Sequence, residues 1–594
     1  MFFTQDDILF NTNKETHVDT NFVNFHNYNY FYKNNILYQD LGNYGTPLNR
    51  IYYEAPAQIG KTLGYNAFND YAPDPANIKY YNTRSPFTNL HYIQGSRGQQ
   101  DIEVELSRNI NSRWNVGFDF KTATSLKQLG VSQRKEVQMQ HYSFIAYTSY
   151  KSKSDRYKLL ANFTVFQHTN NEFGGIKPDS GDTKADLFNY ELENVNLNRP
   201  NTNGVIRSAD KRYNFHLYQE YGIFNDSALK LFHIADYSIR SNSYEDDYLS
   251  TNRAYYAAHT DTTTSARPLF LADTNITQDL TKYKLLENKI GLKGEAGNLF
   301  YMAYFKRRDF SYEQFRYNDL NSTSSTYGEN YIGGMVRYKI TDLSSITGNA
   351  EYYLGRDYLV KGEYKNKLLT LGYYSVSSSP SLLQMQKTGN NFEWTNNFSN
   401  TVSNNLYLKA NLRTGNFIFD PYVNFSNVQG YIYYDTTAMP VQSAASTQIY
   451  SAGFHTKIKW KSFYFENDLR YTTHSGADVI RMPELFNLAR LYVYSPVFKK
   501  VLHLQFGVDF YWKSSYYANN YMPVTQQFYL NNSFLVDQYL LGDIYLNAFL
   551  KRAMFFLKVS HVNMDLPKAG YFITPYYTGM GRSIDFGIKW LFYD

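Results

Sequence analysis

Apolar and polar residues alternate along the last segment of the chain, which reads SIDFGIKWLFYD. One face of this segment carries Ile584, Phe586, Ile588, Trp590 and Phe592. Asp585 and Lys589 occupy the intervening register. Alternation of this kind is typical of a β-strand with an apolar face and a polar face. The chain is therefore predicted to end on an amphipathic strand.

The same period of two recurs along the chain from Thr88 onward. It is clear in the sequences IEVEL, WNVGFDFK and LQFGVDFYW, which begin at Ile102, Trp114 and Leu504. Segments of roughly ten to fifteen residues are separated by turns, and helical patterns are nearly absent. The sequence therefore predicts an all-β protein.

The connections between the segments fall into two classes. Short polar connections are predicted at 109–113, 151–155, 224–228, 295–298, 341–345, 364–367, 413–416, 461–462 and 551–552. Longer connections are predicted at 169–211, 241–282, 311–326, 377–394, 435–445, 476–486, 515–535 and 564–581. Short turns at one end and long loops at the other are typical of a transmembrane antiparallel β-barrel, with periplasmic turns and extracellular loops.

Counting the segments as alternating up and down strands gives about 22 strands, within a range of about 18 to 24. Residues 396–412 are compatible with one strand or with two, and the bend near Gly355 is equally ambiguous. With an even number of strands, both chain ends are expected on the periplasmic side. We expect the closing strand to pair with the first strand near Thr88, because an unpaired edge is not tolerated in lipid.

Charged residues avoid one register of the alternating segments. A Lys or Arg on the lipid face near the bilayer centre costs about 2–4 kcal/mol, so the apolar register is predicted to face lipid. The apolar residues of the closing strand given above are the lipid-facing candidates. The lumen-facing candidates are Glu103, Glu105, Asp119, Lys457, Lys459, Glu466, Asp468, Arg470, Asp509, Asp585 and Lys589.

One group of lumen-facing candidates is expected to form a patch of mixed charge. Lys457 and Lys459 alternate along one strand, and Glu466, Asp468 and Arg470 alternate along the next strand, across a turn at 461–462. Such a patch either creates a field across an aqueous path or consists of compensating ion pairs, and the second interpretation is favoured. The mixed sign argues against strong ion selectivity.

Residues 1–87 differ from the rest of the chain. They are rich in Asn, Tyr and Pro and lack sustained alternation. We interpret 1–87 as an N-terminal segment that lies in the barrel mouth as a plug or packs on its periplasmic rim, and 88–594 as the barrel. The start, MFFTQDDILF, lacks the features of a secretory signal, so a processed or trimmed chain is expected.

Composition supports a membrane protein without membrane helices. The chain has 60 Tyr and 43 Phe residues, no Cys and a net charge of +6. It has no apolar run near the ~18 residues of a transmembrane helix. The many rings fit interfacial girdles. Basic runs are missing, so no nucleic-acid partner is expected, and the lack of cysteine excludes disulfides and thiolate metal sites.

Several stretches resemble a known family. They are ILYQDLGNYGTPLNRIYYE from Ile36, YYNTRSPFTNLHYIQGSRGQQDIEVELSRNINSRWNVGFDFK from Tyr80, NNEFGGI from Asn170 and DVIRMPEL from Asp478. Together they are similar to the "putative porin" family of Bacteroidetes outer membranes. The resemblance implies an outer-membrane β-barrel and informs location and fold more than substrate.

Two motifs invite a chemical interpretation. QIGKT at 58–62 resembles part of a phosphate loop, but Ala55 stands where the pattern requires Gly. QGSRG at 94–98 is not a G-x-S-x-G nucleophile motif and is interpreted as a Gly-rich strand connection. No spacing selects a catalytic group, a cofactor site or a metal site, so we expect a protein that is not an enzyme.

Two functions are compatible with these patterns. The first is an outer-membrane, porin-like channel for passive diffusion of small hydrophilic solutes. The second is an accessory subunit whose barrel anchors long loops that bind an outer-membrane protein or lipoprotein, because binding residues concentrate on such loops. A barrel of about 22 strands is wide and is often plugged. In both cases the expected partners include outer-membrane lipid, lipopolysaccharide and the barrel-assembly machinery.

Overall fold

A computed structural model describes residues 1–18, 20–29, 32–33, 36–96, 98–129, 132–190, 194–200, 203–224, 228–259, 269–316 and 323–592. Its main element is a closed barrel of 22 antiparallel strands. In chain order β1–β22 are Phe87–Gly95, Gln100–Asn111, Trp114–Leu129, Ser132–Lys151, Tyr157–Asn171, Ile206–Gly222, Lys230–Asp246, Thr277–Ala296, Leu299–Phe315, Thr323–Thr341, Ser344–Tyr353, Tyr358–Lys365, Leu369–Ser378, Thr401–Ala410 with Leu412–Thr414, Phe417–Gln429, Thr447–Trp460, Phe463–Gly476, Leu485–Val497, Leu502–Lys513, Tyr539–Leu550, Ala553–Ser560 and Ser583–Phe592. The predicted fold class is confirmed.

The remaining elements are short. The helices are α1 Gln5–Leu9, α2 Arg253–Ala257 and α3 Leu382–Met385, with 3₁₀ turns at Asn69–Tyr71, Pro75–Asn77 and Asp186–Asn189. Small strands outside the barrel are Phe2–Phe3, Tyr32–Lys33, Ile36–Gln39, Asn49–Arg50, Tyr80–Tyr81, Gln386–Thr388, Glu393–Thr395, Ile432–Tyr434, Pro440–Gln442, Asn520–Met522, Gln527–Tyr529, Phe572–Thr574 and Tyr577–Thr578. None of the helices in the described part of the chain is long and apolar enough to cross a membrane.

The ladder resolves the two ambiguous segments. Both Thr401–Ala410 and Leu412–Thr414 pair with β15, so β14 is one strand that is interrupted at Asn411. Gly355 lies in the hairpin between β11 and β12, with a φ of 87° that favours glycine. β22 closes the barrel by pairing with β1, from Asp585 opposite Gly95 to Phe592 opposite Thr88. The closed ladder leaves no strand edge to pair with another chain.

The two ends of the barrel differ in their connections. At the short-turn end, strands are joined by connections such as 112–113, 297–298 and 551–552. At the long-loop end, the longest connections are 172–205, 247–276, 514–538, 379–400 and 561–582. Parts of the predicted connections, residues 191–193, 201–202, 225–227, 260–268 and 317–322, lie outside the described residues, as do Arg97, Tyr593 and Asp594.

Several strands are longer than the sequence pattern suggests. The predicted loop 311–326 shrinks to 316–322, because Ser311, Tyr312 and Glu313 continue the ladder of β9. The predicted loop 241–282 likewise shrinks to 247–276. These strand ends carry polar residues on both faces, and the sequence pattern therefore resembles a loop. Strands of this length extend well past the roughly 9–11 residues that cross a bilayer.

The outward surface of the barrel is largely apolar. In β22 the exposed fractions are 55% for Ile584, 48% for Phe586, 46% for Trp590 and 39% for Phe592, and Ile588 is half-exposed. The neighbouring strands present Leu557, Phe555 and Leu546 in the same way. A continuous apolar surface of this extent is stable against lipid acyl chains but not against water.

Candidate functional site: the occluded lumen

The described residues of the N-terminal segment 1–86 pass through the barrel lumen and return to the end at which they entered. At the short-turn end, Phe2–Phe3 pairs with Tyr80–Tyr81, and the amino group of Met1 donates to the carbonyl of Asn82 at 3.2 Å. At the long-loop end, the carbonyls of Thr62 and Leu63 accept hydrogen bonds from the first two residues of α3, at 2.8 and 3.1 Å. The structure therefore places the segment inside the lumen, along most of its length.

One side of the lumen is tightly packed against this segment. His26 lies between β19 and β20, with Nε2 3.1 Å from Asp509 Oδ2 and Nδ1 2.9 Å from the Asn547 amide. Its ring stacks on Tyr545 with 3.4 Å between centroids. Asp509 also lies 3.2 Å from Arg490. We call the inward face of β19–β22 and β5–β8 the filled wall, because its side chains are buried by the segment.

The lumen-facing candidates near the two ends of the chain lie in or beside this wall. Lys121 Nζ is 3.0 Å from Asp101 and 3.9 Å from Glu103. Glu105 accepts a hydrogen bond from Asn89 at 3.5 Å, and Asp585 accepts one from Ser583 at 3.3 Å.

Two further candidates sit close to these groups. Asp119 is directly opposite Glu105 in the ladder between β2 and β3. Lys589 is opposite His91 in the closing pair of strands. Both pairs occupy the inward register of their strands.

The patch of mixed charge on β16 and β17 consists of local pairs. Lys457 lies 2.7 Å from Glu466, and His455 lies 2.9 Å from Asp468. Lys459 Nζ lies 5.6 Å from the centroid of the Tyr464 ring. Arg470 instead contacts the N-terminal segment, since its guanidinium lies 4.4 Å from the Tyr52 ring centroid.

The opposite side of the lumen is not filled. On β11–β14 the inward-facing side chains of Asn349, Lys361, Lys365 and Lys409 are exposed. The side chain of Lys361 is 46% exposed and lies 3.7 Å from Glu363. We call this face of the barrel interior the open sector. Its lining is hydrophilic and carries more ammonium groups than carboxylates.

Residues 51–62, which we call the strap, cover the open sector from the long-loop side. The strap begins beside Arg470 on β17 and reaches β13, where Tyr374 Oη donates to the Pro56 carbonyl. It continues to β10, where the Lys61 N–H donates to Glu329 at 3.1 Å. The strap has no helix or strand, and backbone hydrogen bonds hold its two ends, from Ile51 to the Leu37 carbonyl at 3.1 Å and from Leu382 to the Thr62 carbonyl at 2.8 Å.

Gly60 allows the strap to lie in close contact with the barrel at β10 and at the hairpin between β11 and β12. Its N–H donates to Asp357 Oδ2 at 2.8 Å, and its φ is +85°. A Cβ at this position would lie 1.8 Å from Tyr331 Oη and 2.7 Å from Glu329. The glycine of the QIGKT sequence therefore has a structural role. Residues 61–66 continue as extended chain, so the helix that a phosphate loop requires does not follow.

A buried ion network anchors the same part of the strap. Arg308 lies 3.0 Å from Glu329 and 3.3 Å from Glu287, and it donates to the Lys61 carbonyl at 3.3 Å. Sequence reasoning did not single out Arg308, Glu329 or Asp357. A signal was present in the segment FKRRDF, in which Lys306 and Arg308 fall in the inward register.

The filled wall is covered at the long-loop end by packed loops. Glu172 lies just after β5, is 1% exposed and accepts a hydrogen bond from Ser208 Oγ. Burial raises the pKa of the Glu172 carboxyl to about 7, against the opposing effect of hydrogen bonds from Ser208 and Asn170. Phe173, Ile176 and neighbouring loop residues form an apolar core with the inward side chains of the wall.

Cavities remain at both ends of the lumen. One of about 860 Å³ opens near the short-turn end and is lined by Phe22, Lys457 and Tyr492, among others. Another of about 870 Å³ lies among the long loops and is lined by asparagines and by Tyr255 and His259. The described part of the chain holds no group of three or more His, Cys, Asp or Glu side chains arranged to bind a metal ion.

Solved structures with the same fold are transporters or receptors by their names. The copper transporter OprC has a TM-score of 0.63 at 8% identity, over 87% of this chain and 82% of that one. The FrpB iron transporter from Neisseria meningitidis has a TM-score of 0.61 at 9% identity, over 86% and 82%. BauA, the ferric preacinetobactin receptor from Acinetobacter baumannii, has a TM-score of 0.57 at 12% identity, over 94% and 88%. At these identities the likeness concerns the fold alone.

The sequence comparisons give the family. No curated protein matches the chain. The family described as "Putative porin" matches residues 2–594, which is nearly the whole length. The chain therefore belongs to the "Putative porin" family of outer-membrane β-barrels.

Proposed function

We propose that this outer-membrane barrel is a gated channel for small hydrophilic solutes, which diffuse passively along the open sector when the strap is displaced. The observation that carries the proposal is the exposed, inward-facing polar lining of β11–β14, which ends beneath the strap. In the seated state the strap closes this route. We further propose that the short turns and both chain ends face the periplasm, as in other single-chain barrels.

The contacts of the strap support a movable gate. It is attached to the barrel by polar contacts at Tyr374, Asp357 and Glu329. Its fully buried apolar side chains are two isoleucines, Ile51 and Ile59, and Ile59 packs in a small cluster with Tyr331 and Val376. The filled wall instead buries His26 and many aromatic rings. Segments with few buried apolar contacts open at the lowest free energy, so the strap is expected to move first.

The lining suggests which solutes pass. Lys361, Lys365 and Lys409 face the path, and Glu363 is a nearby carboxylate. Fixed ammonium groups raise the local concentration of anions, so a modest preference for anionic over cationic solutes is expected. The cargo named for the structural neighbours is iron, copper or ferric preacinetobactin, and low identity gives no reason to transfer that cargo to this chain.

Planar-bilayer recording tests the proposal. The full-length protein should conduct rarely, and a variant in which residues 52–61 are replaced by a Gly-Ser linker of equal length should give frequent stepwise conductance. A matched variant with the same linker at residues 178–187, in a long loop, should resemble the full-length protein. A strap-replacement variant that is folded, inserted and silent would contradict the proposal.

The closed lumen also favours the second function, an accessory barrel that presents its long loops to an outer-membrane protein or lipoprotein. If the protein has that function, a partner protein should co-purify with it at native expression level. The partner should no longer co-purify when the loop 172–205 is shortened. Conductance of the strap variant distinguishes the two, because an accessory barrel has no need of a path beneath the strap.

A further inference from the structure

Charged residues on the outward face of the barrel are concentrated on four adjacent strands, β6–β9. The outward register of these strands contains Arg207, Lys211, Glu245, Lys282, Lys284, Arg307, Asp309 and Glu313. The outward register of β10–β22 contains no Lys, Arg, Asp or Glu among the described residues. On β1–β5 the exposed Arg108 lies in the outward register of β2, at the short-turn end, so β6–β9 form the side of the barrel on which outward charges cluster.

Two of the cations on this side are paired with carboxylates, one on the adjacent strand and one on the same strand. Arg207 lies 2.8 Å from Glu245, and Arg307 lies 2.7 Å from Asp309. Three lysines remain, Lys211, Lys282 and Lys284, which we call the lysine strip. All three are exposed, and none forms an ion pair within 4.0 Å of a described carboxylate.

The register brings the lysine strip together. Lys211 and Lys282 are both directly opposite Ser241 of β7, so two inter-strand spacings, about 10 Å, separate their backbones. Lys284 lies two residues further along β8 on the same face. Glu313 is opposite Lys282, and the Lys282 ammonium lies 4.8 Å from the Phe315 ring centroid.

The lysine strip begins where the apolar surface of its strands ends. On β6 the exposed residues that follow Lys211 in the outward register are Tyr213 and Phe215, and on β8 Lys284 is followed by Leu286. Tyr237 of β7 lies beside them and is 46% exposed. Aromatic rings of this kind sit at the boundary between acyl chains and head groups, so the ammonium groups lie at the level of the head groups.

Strand length alone does not account for these cations. β10 is of similar length and presents Ser324, Thr326 and Gly328 at the corresponding end of its outward face. A solvated strand end can therefore be neutral in this barrel. The concentration of ammonium groups on one side instead matches an anionic ligand that approaches from the lipid.

We propose that the lysine strip binds the phosphate groups of a phosphorylated glycolipid in the outer leaflet of the membrane. Each ammonium group near an anionic lipid surface contributes favourable electrostatic energy, and three within one head-group width act on the same ligand. The acyl chains of the lipid pack on Phe215, Tyr237 and Leu286. This proposal is independent of the solute path through the lumen and rests on the proposed orientation, in which the short turns face the periplasm.

The experiment uses the full-length protein in non-ionic detergent. Native mass spectrometry measures the binding of lipid A with two phosphates, of lipid A without phosphate, and of inorganic phosphate as a competitor. The test variant combines Lys211→Gln, Lys282→Gln and Lys284→Gln. The control variant combines Lys153→Gln, Lys461→Gln and Lys551→Gln, which removes the same charge from exposed turns at the short-turn end.

The test variant should bind phosphorylated lipid A at least about tenfold more weakly than wild type, and the control variant should bind like wild type. Replacing the same three lysines by Arg should preserve binding, because guanidinium groups also bind phosphate. Heat-modifiable migration in gels confirms a closed barrel for each variant. Equal binding by the test variant and wild type would overturn the proposal, as would equal binding of phosphorylated and phosphate-free lipid A.

Discussion

The filled wall and the open sector are two sides of one barrel interior with opposite chemistry. On the filled wall Asp509 and Asn547 are fully buried and bonded to His26 of the N-terminal segment. In the open sector Lys361 keeps 46% of its side-chain surface exposed. The N-terminal segment thus fills one half of the lumen and crosses the other half as the strap, which is anchored at Asp357 and Glu329. The difference separates a structural part of the segment from the part that we propose to move.

The largest effect is expected from Gly60→Val, which targets the strap above the open sector. A β-branched residue at φ +85°, with its Cβ against Tyr331, destabilises the bound position of the strap by about 3 kcal/mol or more relative to the displaced position. That cost raises the ratio of displaced to seated strap about a hundredfold. Bilayer recordings should show a matching rise in open probability.

Gly362→Val is the matched control, because a Cβ at Gly362 on β12 meets no atom within 4 Å. This variant should conduct like wild type. Equal open probabilities for the two variants would place the gate elsewhere.

The next effect is on stability rather than on gating, and it is expected from Arg308→Met, which breaks the ion network at the strap anchor. Glu329 is buried beside Arg308, and an unpaired buried carboxylate destabilises a protein by about 3–5 kcal/mol. Denaturant unfolding in detergent micelles measures the change in the free energy of unfolding. The neighbouring Arg307→Met removes an exposed pair with Asp309 and should cost less than about 1 kcal/mol.

The next effect is a pH dependence of local stability in the loop that covers the filled wall. The pKa of Glu172 is raised from 4.5 to about 7 by burial, so the folded state binds its proton more tightly than the unfolded state does. The stabilisation, about 3 kcal/mol, is present below pH 4.5 and is lost as pH rises through 7. Amide exchange in residues 172–178, corrected for intrinsic rates, should therefore accelerate from pH 5 to pH 8.

Glu172→Gln removes the titrating group and keeps an acceptor for Ser208, so its corrected exchange should not change with pH. Exchange on β12, in the open sector, should be insensitive to pH in both proteins. A wild-type loop that is more protected at pH 8 than at pH 5 would reverse the assigned sign.

The smallest effect on stability is expected inside the open sector. Lys361→Gln combined with Lys409→Gln removes exposed charges, and the free energy of unfolding should change by no more than about 0.5 kcal/mol. In the Gly60→Val background, the reversal potential under a salt gradient should shift toward weaker anion preference. An unchanged reversal potential would mean that ions do not pass these lysines.

Strand periodicity predicted the barrel because each strand shows the alternation of apolar and polar residues within its own sequence. The closing strand, the short turns and the apolar outward register can be seen in local sequence, since lipid imposes the same requirement on every strand. The length of β9 and β10 was underestimated, because strand ends outside the lipid are free to be polar on both faces.

The position of residues 1–86 could not be obtained in the same way. His26 contacts Asp509, and Lys61 contacts Glu329, across hundreds of intervening residues. No periodicity connects such positions, so the sequence left the plug and the rim as alternatives. Single residues did carry a signal: the inward parity of Arg308 and the glycine at position 60 both marked sites where the wall meets another part of the chain.

The hairpin course of residues 1–86 has a topological consequence. Met1 and Phe87 lie at the same mouth of the barrel, so residues 1–86 enter and leave the lumen at one end, as a loop. A force applied from that mouth can withdraw the segment without opening the seam between β1 and β22 and without leaving a knot. The segment and the barrel are one covalent chain, yet this topology allows the segment to leave the lumen while the barrel stays closed.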